Sequence, residues 1–313
     1  MIVALAGGVG GAKLADGLYR TLPANHLAVV VNTADDLDLF GLRVCPDLDT
    51  VTYTLAGLAN PTTGWGIAGD TFAALAMLGR YGRDVWLQLG DRDLATHLAR
   101  TERLRAGASL TAVTAELTSA LGINAAILPM CDEPVATQVA TPEGTLDFQD
   151  YFVHRHQADT VTGIVFRGIE RAQVSAAVRR ALAEAAAVVV CPSNPIVSIG
   201  PILAVSGMRE RLDAHPGPKV AVSPIVGGRA LRGPADRMLA SLGHEVSAYG
   251  VAALYQGLID GMVIDEVDAA LAPRIEALGM RVLVAPTVMA DADDRPALAR
   301  RVLAFCARIG RTT

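Results

Sequence analysis

The residues nearest the amino terminus that could carry chemistry form a glycine-rich loop, residues 7–13, with the sequence GGVGGAK. The loop follows a short apolar run and precedes a segment with helical spacing of apolar residues. Glycines let a ligand approach the backbone closely, and the N–H groups at the start of a helix attract anions. The loop therefore predicts a phosphate site, although a tight strand–helix turn without a ligand is the alternative. The candidate residues are Gly7, Gly8, Gly10, Gly11 and Lys13.

This loop matches neither of the two common nucleotide-binding patterns. A dinucleotide-binding fingerprint that begins at Gly8 requires Gly or Ala where the chain has Lys13. A P-loop requires Gly in place of Ala12 and Ser or Thr in place of Leu14. The loop is therefore neither a dinucleotide fingerprint nor a Walker motif.

A cluster of aspartates follows the second apolar run of the chain. Its five members are Asp35, Asp36, Asp38, Asp47 and Asp49. Because the carboxyl ends of neighbouring strands in a doubly wound sheet face one crevice, we expect this cluster beside the glycine loop. Carboxylates next to a phosphate site indicate Mg²⁺, with the choice among the five left open. The alternatives are helix capping by Asp47 or Asp49 and solvated turns at Asp35 and Asp38.

Polar loops follow other predicted strands as well. Ser193 and Asn194 lie between Pro192 and Pro195, in a rigid loop that suits recognition of a base or a phosphate. The alternative is an ordinary rigid strand–helix connection. A second loop of the same style, SPIVGG, spans residues 223–228. Convergence of these loops on one crevice favours a nucleotide site more than any single loop does.

The remaining polar and aromatic candidates have competing structural explanations. Asp93 is expected to cap the helix that follows it, and His97 within that helix is typical of a structural histidine. Trp65 could stack on an aromatic ligand or anchor a loop. His154 and His156 could bind a metal, but their pattern fits surface positions better.

Strands and helices alternate along the chain. Most predicted strands are apolar on both faces, which is typical of strands buried between helix layers. The predicted strands are residues 2–6, 27–31, 85–89, 125–128, 162–166, 187–191, 219–223 and 281–284. The predicted helices are residues 12–22, 71–81, 94–106, 110–121, 171–185, 202–212, 229–242 and 297–309. The pattern predicts an α/β fold with a doubly wound, mostly parallel, Rossmann-like sheet.

One segment, approximately residues 133–161, interrupts this alternation. Residues 135–140 and 145–148 alternate around a Pro-Glu-Gly turn, which predicts a hairpin. We interpret the segment as a small inserted subdomain. No change of composition divides the chain, so residues 1–313 are predicted to form a single large α/β nucleotide-binding domain.

Composition excludes several classes of function. The net charge is −5 without a basic run, which argues against nucleic acid or an anionic membrane as a partner. No apolar window reaches the roughly 18 residues of a membrane span, and the amino terminus has no basic region typical of a signal peptide. The four cysteines form no CxxC pair, which favours a reducing cytoplasm.

Several long motifs together resemble the 2-phospho-L-lactate transferase family of coenzyme F420 biosynthesis. The resemblance covers essentially the whole chain. It rests on the glycine loop, residues 32–36 (NTADD), 46–50 (PDLDT), 89–97 (LGDRDLATH), 128–130 (LPM), 192–195 (PSNP) and 223–225 (SPI).

The resemblance implies a Mg²⁺-dependent transfer reaction. The donor would be a guanosine diphosphate ester of 2-phospholactate, phosphoenolpyruvate or a phosphoglycerate, and the sequence does not choose among them. The acceptor would be the ribityl hydroxyl of the deazaflavin Fo, and GMP would leave. The resemblance also implies a homodimer.

Taken with the motifs, the resemblance suggests a role for each candidate residue. The glycine loop and Lys13 would hold the diphosphate, and Asp36 and Asp49 would be the catalytic residues and hold Mg²⁺. Asp49 also corresponds to a family contact with Fo, so it could instead orient the hydroxyl or accept its proton. Ser193, Asn194 and Pro195 would hold the guanosine. Gln88 stands where some relatives have a lysine that contacts Fo, and it brings no charge.

Two other functions compete with the transferase. A non-enzymatic regulator of the gluconeogenesis-factor type, which binds a nucleotide sugar, has a similar glycine loop and Ala-Asp-Asp sequence. Such proteins continue into a Gly/Ser-rich run, whereas this chain continues with LDLF and then PDLD, which favours the transferase. The mismatch at Lys13 argues against an NAD-dependent oxidoreductase.

Overall fold

Short apolar runs form the strands of the protein in the computed structural model, which describes residues 1–310. In chain order the strands are β1 (Ile2–Ala6), β2 (Leu27–Val31), β3 (Leu37–Leu39), β4 (Leu42–Val44), β5 (Ala126–Pro129), β6 (Ala136–Thr141), β7 (Gly144–Asp147), β8 (Gly163–Arg167), β9 (Ala187–Val190), β10 (Lys219–Val222), β11 (Ile225–Val226), β12 (Arg229–Ala230), β13 (Gly261–Ile264) and β14 (Arg281–Val284). Seven of them form the central sheet, in the order β14-β13-β10-β9-β1-β2-β5. Every neighbouring pair in this sheet is parallel, as predicted.

Helices connect these strands and cover the sheet. In chain order they are α1 (Gly8–Thr21), α2 (Pro46–Leu55), α3 (Ala73–Arg80), α4 (Asp91–Arg105), α5 (Leu110–Ala120), α6 (Ala176–Ala183), α7 (Gly200–Ala204), α8 (Met208–Asp213), α9 (Ala235–Ser241), α10 (Ala248–Leu254), α11 (Ala272–Glu276) and α12 (Asp294–Gly310). Within residues 1–310, no helix combines the length and the apolar character needed to cross a membrane.

Both faces of the central sheet are buried. In β1, Val3 and Leu5 pack in the apolar layer formed with α6 to α11, whereas Ile2 and Ala4 pack in the layer formed with α1, α2, α5 and α12. Since alternate side chains of a strand point to opposite faces, a strand covered on both sides needs an unbroken apolar run. The predicted doubly wound α/β fold is therefore confirmed.

The order of the strands fixes where a ligand crevice lies. The chain runs from β1 to β2 on one side and later returns to place β9 against the other side of β1. Helices leave the sheet in opposite directions at such a point, so the carboxyl ends of β1 and β9 border a crevice. The glycine loop follows β1, and residues 192–195 follow β9.

The inserted segment forms a small antiparallel sheet. β6 pairs with β7 in the predicted hairpin and with β8 on its other edge. The strand predicted at residues 162–166 forms as β8, but it belongs to this sheet and not to the parallel one. The inserted sheet therefore reaches Arg167, beyond the predicted limit at residue 161.

Three predictions of local structure were wrong. Residues 85–89 form no strand, because β5 occupies the sheet edge beside β2 and this run has no strand to pair with. The helix predicted at residues 202–212 is two helices, separated where Gly207 adopts φ 84°. Most of the early part of the helix predicted at residues 229–242 is strand β12 and a loop, so α9 begins only at Ala235.

One central strand, β13, was missed. It is only four residues long and begins with a glycine, so its sequence signal is weak. A methyl group added at Gly261 would lie 2.6 Å from Ile309 Cδ1 and 2.8 Å from Phe305 Cε1 of α12. The close approach of α12 explains why this strand begins with glycine.

Candidate active site

The glycine loop forms the first turn of α1, which begins at Gly8 and not at residue 12 as predicted. Gly7 precedes the helix in an extended conformation, and Gly8 is the one glycine of the loop with positive φ, 61°. The backbone N–H of Gly8 donates to Asp47 Oδ1 at 2.8 Å. A carboxylate from α2 therefore fastens the start of α1, which has no cap from its own side chains.

The other glycines of the loop are required by close packing against residues 192–198. A methyl group added at Gly10 would collide with the carbonyl oxygen of Pro192, and one added at Gly11 would collide with Ser193 Oγ. A methyl group at Gly7 would lie 2.7 Å from Ser198 Cβ. The loops after β1 and β9 thus pack so closely across the crevice that there is no room for side chains at these glycines.

Ser193 is the link between these two loops. Gly7 N–H donates to Ser193 Oγ at 3.0 Å, and Ser193 Oγ donates to the carbonyl of Gly7 at 2.8 Å. Asn194 Oδ1 accepts from the N–H groups of Ile196 and Val197, so this side chain caps the turn Pro195–Ile199. The structure brings Ser193, Asn194 and the glycine loop together, while the predicted contact of both residues with guanosine stays a prediction.

Lys13 and Gln88 occupy different surroundings. Lys13 Nζ donates to the carbonyl of Met289 at 2.7 Å. Partial burial, together with the nearby charges of Arg295 and Arg232, lowers the pKa of Lys13. Gln88 is exposed in the irregular segment before α4, and its contact with Fo stays a prediction.

Asn32, at the carboxyl end of β2, connects two buried aspartates. Its Nδ2 donates to Asp35 Oδ2 at 2.9 Å and to Asp47 Oδ2 at 3.0 Å. It also lies 3.3 Å from the carbonyl of Val197 in the loop after β9. Burial raises the pKa of Asp47 to about 6, and burial together with the charge of Asp47 raises the pKa of Asp35.

Asp36 faces away from this pair and toward an arginine. Its Oδ2 lies 3.4 Å from Arg43 Nη2, and the carboxylate is almost fully buried. Burial raises the pKa of Asp36 to about 7, although the charge of Arg43 opposes the shift. Asp36 Oδ1 is buried and accepts no hydrogen bond.

Asp49 forms a buried ion pair with Arg100 of α4. Both terminal nitrogens of the guanidinium contact the carboxylate: Nη1 lies 3.1 Å from Oδ2, and Nη2 contacts Oδ1. This arrangement raises the pKa of Arg100 despite the opposing effect of burial. Asp49 and Arg100 also line a cavity of about 110 Å³ between α2, α4 and α5.

The ion pair continues into a buried polar row on α4. His97 Nδ1 lies 3.6 Å from Asp49 Oδ2, and His97 Nε2 lies 3.5 Å from Asp93 Oδ1. Tyr53 OH donates to Asp93 Oδ1 at 2.6 Å. The prediction that Asp93 caps α4 was wrong, because Asp70 accepts from the N–H groups of Arg92 and Asp93 and thus caps this helix from outside.

Two sets of residues could hold a metal ion: the predicted pair, Asp36 and Asp49, and a cluster on α2 and α4, Asp49, Asp93 and His97. Asp36 fits the donor set of Mg²⁺, because Asp36 Oδ1 is a buried carboxylate oxygen without a partner. Asp49 fits it less simply, since a metal would have to replace one of its contacts with Arg100. Within residues 1–310, the only three-residue cluster of possible ligand atoms is Asp49, Asp93 and His97, whose ligand atoms lie within 4.8 Å of one another.

The other candidates lie outside this region. His154 hydrogen-bonds Asp150 at 2.9 Å and stacks on Trp86, and His156 is exposed. Trp65 is 44% exposed on the loop between α2 and α3. None of these side chains joins the aspartate cluster.

Sequence reasoning missed Asn32, Tyr53 and Arg100 as site residues. Arg100 could have been found from its spacing, because positions 93, 97 and 100 share one face of a helix. Buried polar residues on one face indicate partners on a neighbouring element. Asn32 stands in a quoted motif, but nothing in its local sequence reveals that it joins Asp35 to Asp47.

The family model and the similar characterised proteins agree on the family, and a solved structure agrees on the fold. The model of the family 2-phospho-L-lactate transferase CofD matches residues 2–295. A phosphoenolpyruvate transferase of Streptomyces griseus is 44% identical, covering 96% of this chain and 97% of that protein. A 2-phospho-L-lactate transferase of Methanosarcina acetivorans is 43% identical, covering 96% and 98%. A crystal structure of a UPF0052 family protein from Bacillus halodurans has a similar fold, with a TM-score of 0.66, 14% identity and coverage of 96% and 98%.

Proposed function

Because the chain belongs to the 2-phospho-L-lactate transferase CofD family, we propose that it transfers a phospho-three-carbon-acid group to the deazaflavin Fo in coenzyme F420 biosynthesis. The family and its relatives make the chain a transferase. The donor in the proposal is a guanosine diphosphate ester, and the reaction depends on Mg²⁺. The observation that carries the proposal is the meeting of the glycine loop, the aspartate cluster and residues 192–195 at one crevice.

The proposed reaction exchanges one phosphate bond for another. The ribityl hydroxyl oxygen of Fo attacks the phosphorus that carries the three-carbon acid. The bond from this phosphorus to the bridging oxygen of the diphosphate breaks, and GMP leaves with the electron pair. The hydroxyl proton passes to a base, and the product is a phosphodiester. Such a transfer depends mainly on positioning and on neutralising charge.

The diphosphate of the donor would lie at the start of α1. Asp47 already occupies the N–H of Gly8, so the next groups of the turn, at Val9 and Gly10, are the ones we assign to phosphate. Lys13, one turn further along the helix, adds a positive charge. The buried Ser193 supports this site indirectly, since its hydrogen bonds hold Gly7.

The guanosine would lie along residues 192–195, beyond the contact between the two loops. Asn194 and Pro195 belong to a turn that is rigid because Asn194 caps it. A rigid, partly apolar turn suits the face and edge of a purine. Ser193 would act here through the backbone that it fixes.

Mg²⁺ would be held by Asp36 and Asp49. It would offset the charge of the diphosphate as the phosphorus–oxygen bond breaks. Burial that raises the pKa of Asp36 to about 7 disfavours its charged form, and a bound cation would relieve this cost. Arg100 would keep one contact with Asp49 and so hold that carboxylate in place.

Asp49 has a second possible task at the same position, which is to orient the hydroxyl of Fo or accept its proton. Because Arg100 would keep one carboxylate oxygen, the metal and the hydroxyl of Fo compete for the other. Gln88 would contact Fo by a hydrogen bond from its exposed position before α4.

The three-carbon acid of the donor is 2-phospholactate, phosphoenolpyruvate or phosphoglycerate. Relatives named for phosphoenolpyruvate and for 2-phospho-L-lactate are 44% and 43% identical to this chain. Overall identity therefore does not discriminate between the donors.

We also propose that the protein is a cytoplasmic homodimer. All four cysteines are free and buried, which suits a reducing compartment. Helix α3 buries only Leu75, while Phe72, Met77 and Tyr81 around it are exposed, so a second copy could cover this apolar surface. Sedimentation velocity of the purified protein tests the dimer.

The experiment that tests the proposed reaction is a competition assay read by mass spectrometry. Purified protein, Mg²⁺ and Fo are mixed with the guanylylated forms of phospholactate, phosphoenolpyruvate and 3-phosphoglycerate. We expect a deazaflavin phosphodiester whose mass identifies the acid, together with GMP. Absence of any phosphodiester, while GDP still binds, would contradict the reaction and leave only the phosphate site.

A further inference from the structure

Two loops from opposite sides of the crevice meet above the glycine loop. One, residues 60–66, lies between α2 and α3, and we call it the 60–66 loop. The other joins β12 to α9 and carries Arg232. The guanidinium of Arg232 donates from Nη2 to the carbonyl of Thr62 at 3.3 Å and from Nη1 to the carbonyl of Thr63.

The 60–66 loop is closed by its own hydrogen bonds. Ala59 and Ile67 form an isolated antiparallel bridge at its base. Above the bridge, Asn60 N–H donates to the carbonyl of Gly66 at 3.0 Å, and Gly64 N–H donates to the carbonyl of Asn60 at 2.8 Å. A loop closed in this way moves as one unit, so a single contact can position all of it.

This loop rests directly on the glycine loop. Gly64 has φ 80°, and a methyl group added there would lie 2.6 Å from Val9 Cγ1 and 3.3 Å from Arg232 Nη1. Val9 belongs to the first turn of α1. Arg232, the 60–66 loop and the proposed phosphate site are therefore in contact at one point.

Arg232 has neutral partners in the described part of the chain, since both of its hydrogen bonds go to backbone carbonyls. Its charge is near enough to contribute, after burial, to the lowered pKa of Lys13. Arg295 acts on Lys13 in the same direction and the carboxylate of Asp294 opposes them, so the pKa of Lys13 is lowered on balance. An excess of positive charge of this kind favours an anion. Phosphate oxygens are also stronger acceptors for a guanidinium than neutral carbonyls.

We propose that Arg232 is a positioning residue of the donor site, which ties the 60–66 loop across the crevice and adds its charge to that of Lys13 beside the diphosphate. This inference rests on the proposed function, because it assumes a guanosine diphosphate ester as donor. In this proposal the loop after β12, which lies on the β9 side of the crevice, closes the phosphate end of the site.

Trp65 provides a direct signal for the position of the loop. It belongs to the 60–66 loop, and Thr63 Oγ1 donates to its carbonyl at 2.6 Å. The chain has two tryptophans, so Trp86→Phe leaves Trp65 as the only one. Quenching by acrylamide, which is neutral, then reports the exposure of Trp65 without responding to charge.

The test compares three variants in the Trp86→Phe background: Arg232→Ala, Arg232→Lys and, as matched control, Arg229→Ala. Arg229 is an exposed arginine in β12 of the same hairpin. Binding of GDP is measured by calorimetry, and acrylamide quenching is measured on the same samples. Both readouts are independent of transfer, so they remain informative if the transferase assay fails.

Arg232→Ala should raise the Kd for GDP about tenfold and increase the quenching of Trp65, because both the charge and the tie are lost. Arg232→Lys should keep part of the GDP affinity but still increase quenching, since an ammonium cannot bridge two carbonyls as a planar guanidinium does. Arg229→Ala should change neither readout. Arg232 is exposed, so we expect all three variants to fold, which circular dichroism checks.

Unchanged quenching or unchanged GDP affinity in Arg232→Ala would overturn the proposal, because the tie and the charge are claimed for the same site. An equal effect of Arg229→Ala would overturn it too. So would a Kd for GDP that is the same in Arg232→Ala, Arg229→Ala and the unmodified protein. Failure of the unmodified protein to bind GDP would contradict the proposed donor as well. That outcome differs from a loss confined to Arg232→Ala.

Discussion

The buried aspartates of the cluster have partners of two different kinds. Asp36 and Asp49 face arginine guanidinium groups, whereas Asp35 and Asp47 share the neutral amide of Asn32. Asp47 also accepts the N–H of Gly8 and so fastens the glycine loop. We infer that the first two carboxylates serve the reaction and that the second two hold the loop.

Helix geometry explains how neighbouring aspartates come to differ in this way. Asp47 and Asp49 are two residues apart on α2, which turns their side chains about 200° from each other. One therefore points to α1 and the other to Arg100 on α4. Similar residues in one short motif can thus have separate tasks. The direction in which each side chain leaves the helix determines which task it has.

The largest effect should come from Asp49→Asn. We expect transfer to fall by about a thousandfold or more, because the proposed metal ligand or base is lost. Since Arg100 would remain buried without its carboxylate, the free energy of unfolding should fall by about 3 kcal/mol. The assay is transfer at saturating Fo, with urea unfolding measured alongside.

Asp47→Asn is the matched control for that variant. Its transfer rate should stay within about tenfold of the unmodified protein, because Asn keeps an oxygen for the Gly8 N–H. Equal losses of transfer in Asp47→Asn and Asp49→Asn would contradict the inference that one carboxylate holds the loop and the other serves the reaction. Turnover like that of the unmodified protein in Asp49→Asn would remove Asp49 from the mechanism.

A double variant separates stability from chemistry at the Asp49 pair. Asp49→Asn combined with Arg100→Gln should recover about 2 kcal/mol of stability relative to the Asp49→Asn single variant, because no unpaired charge stays buried. Transfer should not recover. Recovery of transfer together with stability would mean that Asp49 acts only by keeping the fold intact.

The contacts that hold the glycine loop in place can be tested with Ser193→Ala. This variant removes the donor and acceptor that join Gly7 to the loop after β9, so we expect a loss of about 1–2 kcal/mol in the free energy of unfolding. GDP should bind more weakly while the rate at saturating donor stays nearly unchanged. A fall in that rate with unchanged GDP affinity would contradict a supporting role.

The prediction furthest from the transfer reaction concerns the pH dependence of stability. In the folded chain, burial raises the pKa of Asp47 to about 6 and that of Asp36 to about 7, from an ordinary value of 3.8. The folded state therefore keeps protons that the unfolded state has lost. These groups add stability below about pH 4, and the contribution disappears as the pH rises to about 7.

Urea unfolding between about pH 5 and about pH 8 tests this sign. The decline in stability with rising pH should be shallower in Asp36→Asn than in the unmodified protein, with Asp47→Asn differing mainly below about pH 6. Mg²⁺ should oppose the decline by stabilising the ionised Asp36. A steeper decline in Asp36→Asn would contradict the raised pKa.

Much of the fold could be predicted from the sequence, because strands buried on both faces leave unbroken apolar runs. β1, β2 and β14 have the predicted bounds. An apolar run alone does not tell whether a neighbouring strand exists, so residues 85–89 were wrongly assigned. β13 is no shorter than β14, but it begins with a glycine, which weakens the strand signal of its sequence.

The site was predictable as a set of segments but not as a set of contacts. The glycine loop, the aspartates and residues 192–195 meet, because parallel strands place their carboxyl ends at one edge. The partners are set by tertiary packing: Arg100 is 51 positions from Asp49, and Ser193 is 186 positions from Gly7. The face of α4 that carries Arg100 can be recognised in the sequence, but neither pairing can be read from it.

Metal binding tests the division of the aspartates most directly. Mn²⁺ in place of Mg²⁺ can be titrated in the presence of GDP and followed by electron paramagnetic resonance. We predict that Asp36→Asn and Asp49→Asn each raise the Kd for Mn²⁺ about a hundredfold, while Asp35→Asn and Asp47→Asn change it about threefold or less. Loss of Mn²⁺ binding in Asp47→Asn, with normal binding in Asp36→Asn and Asp49→Asn, would contradict the account.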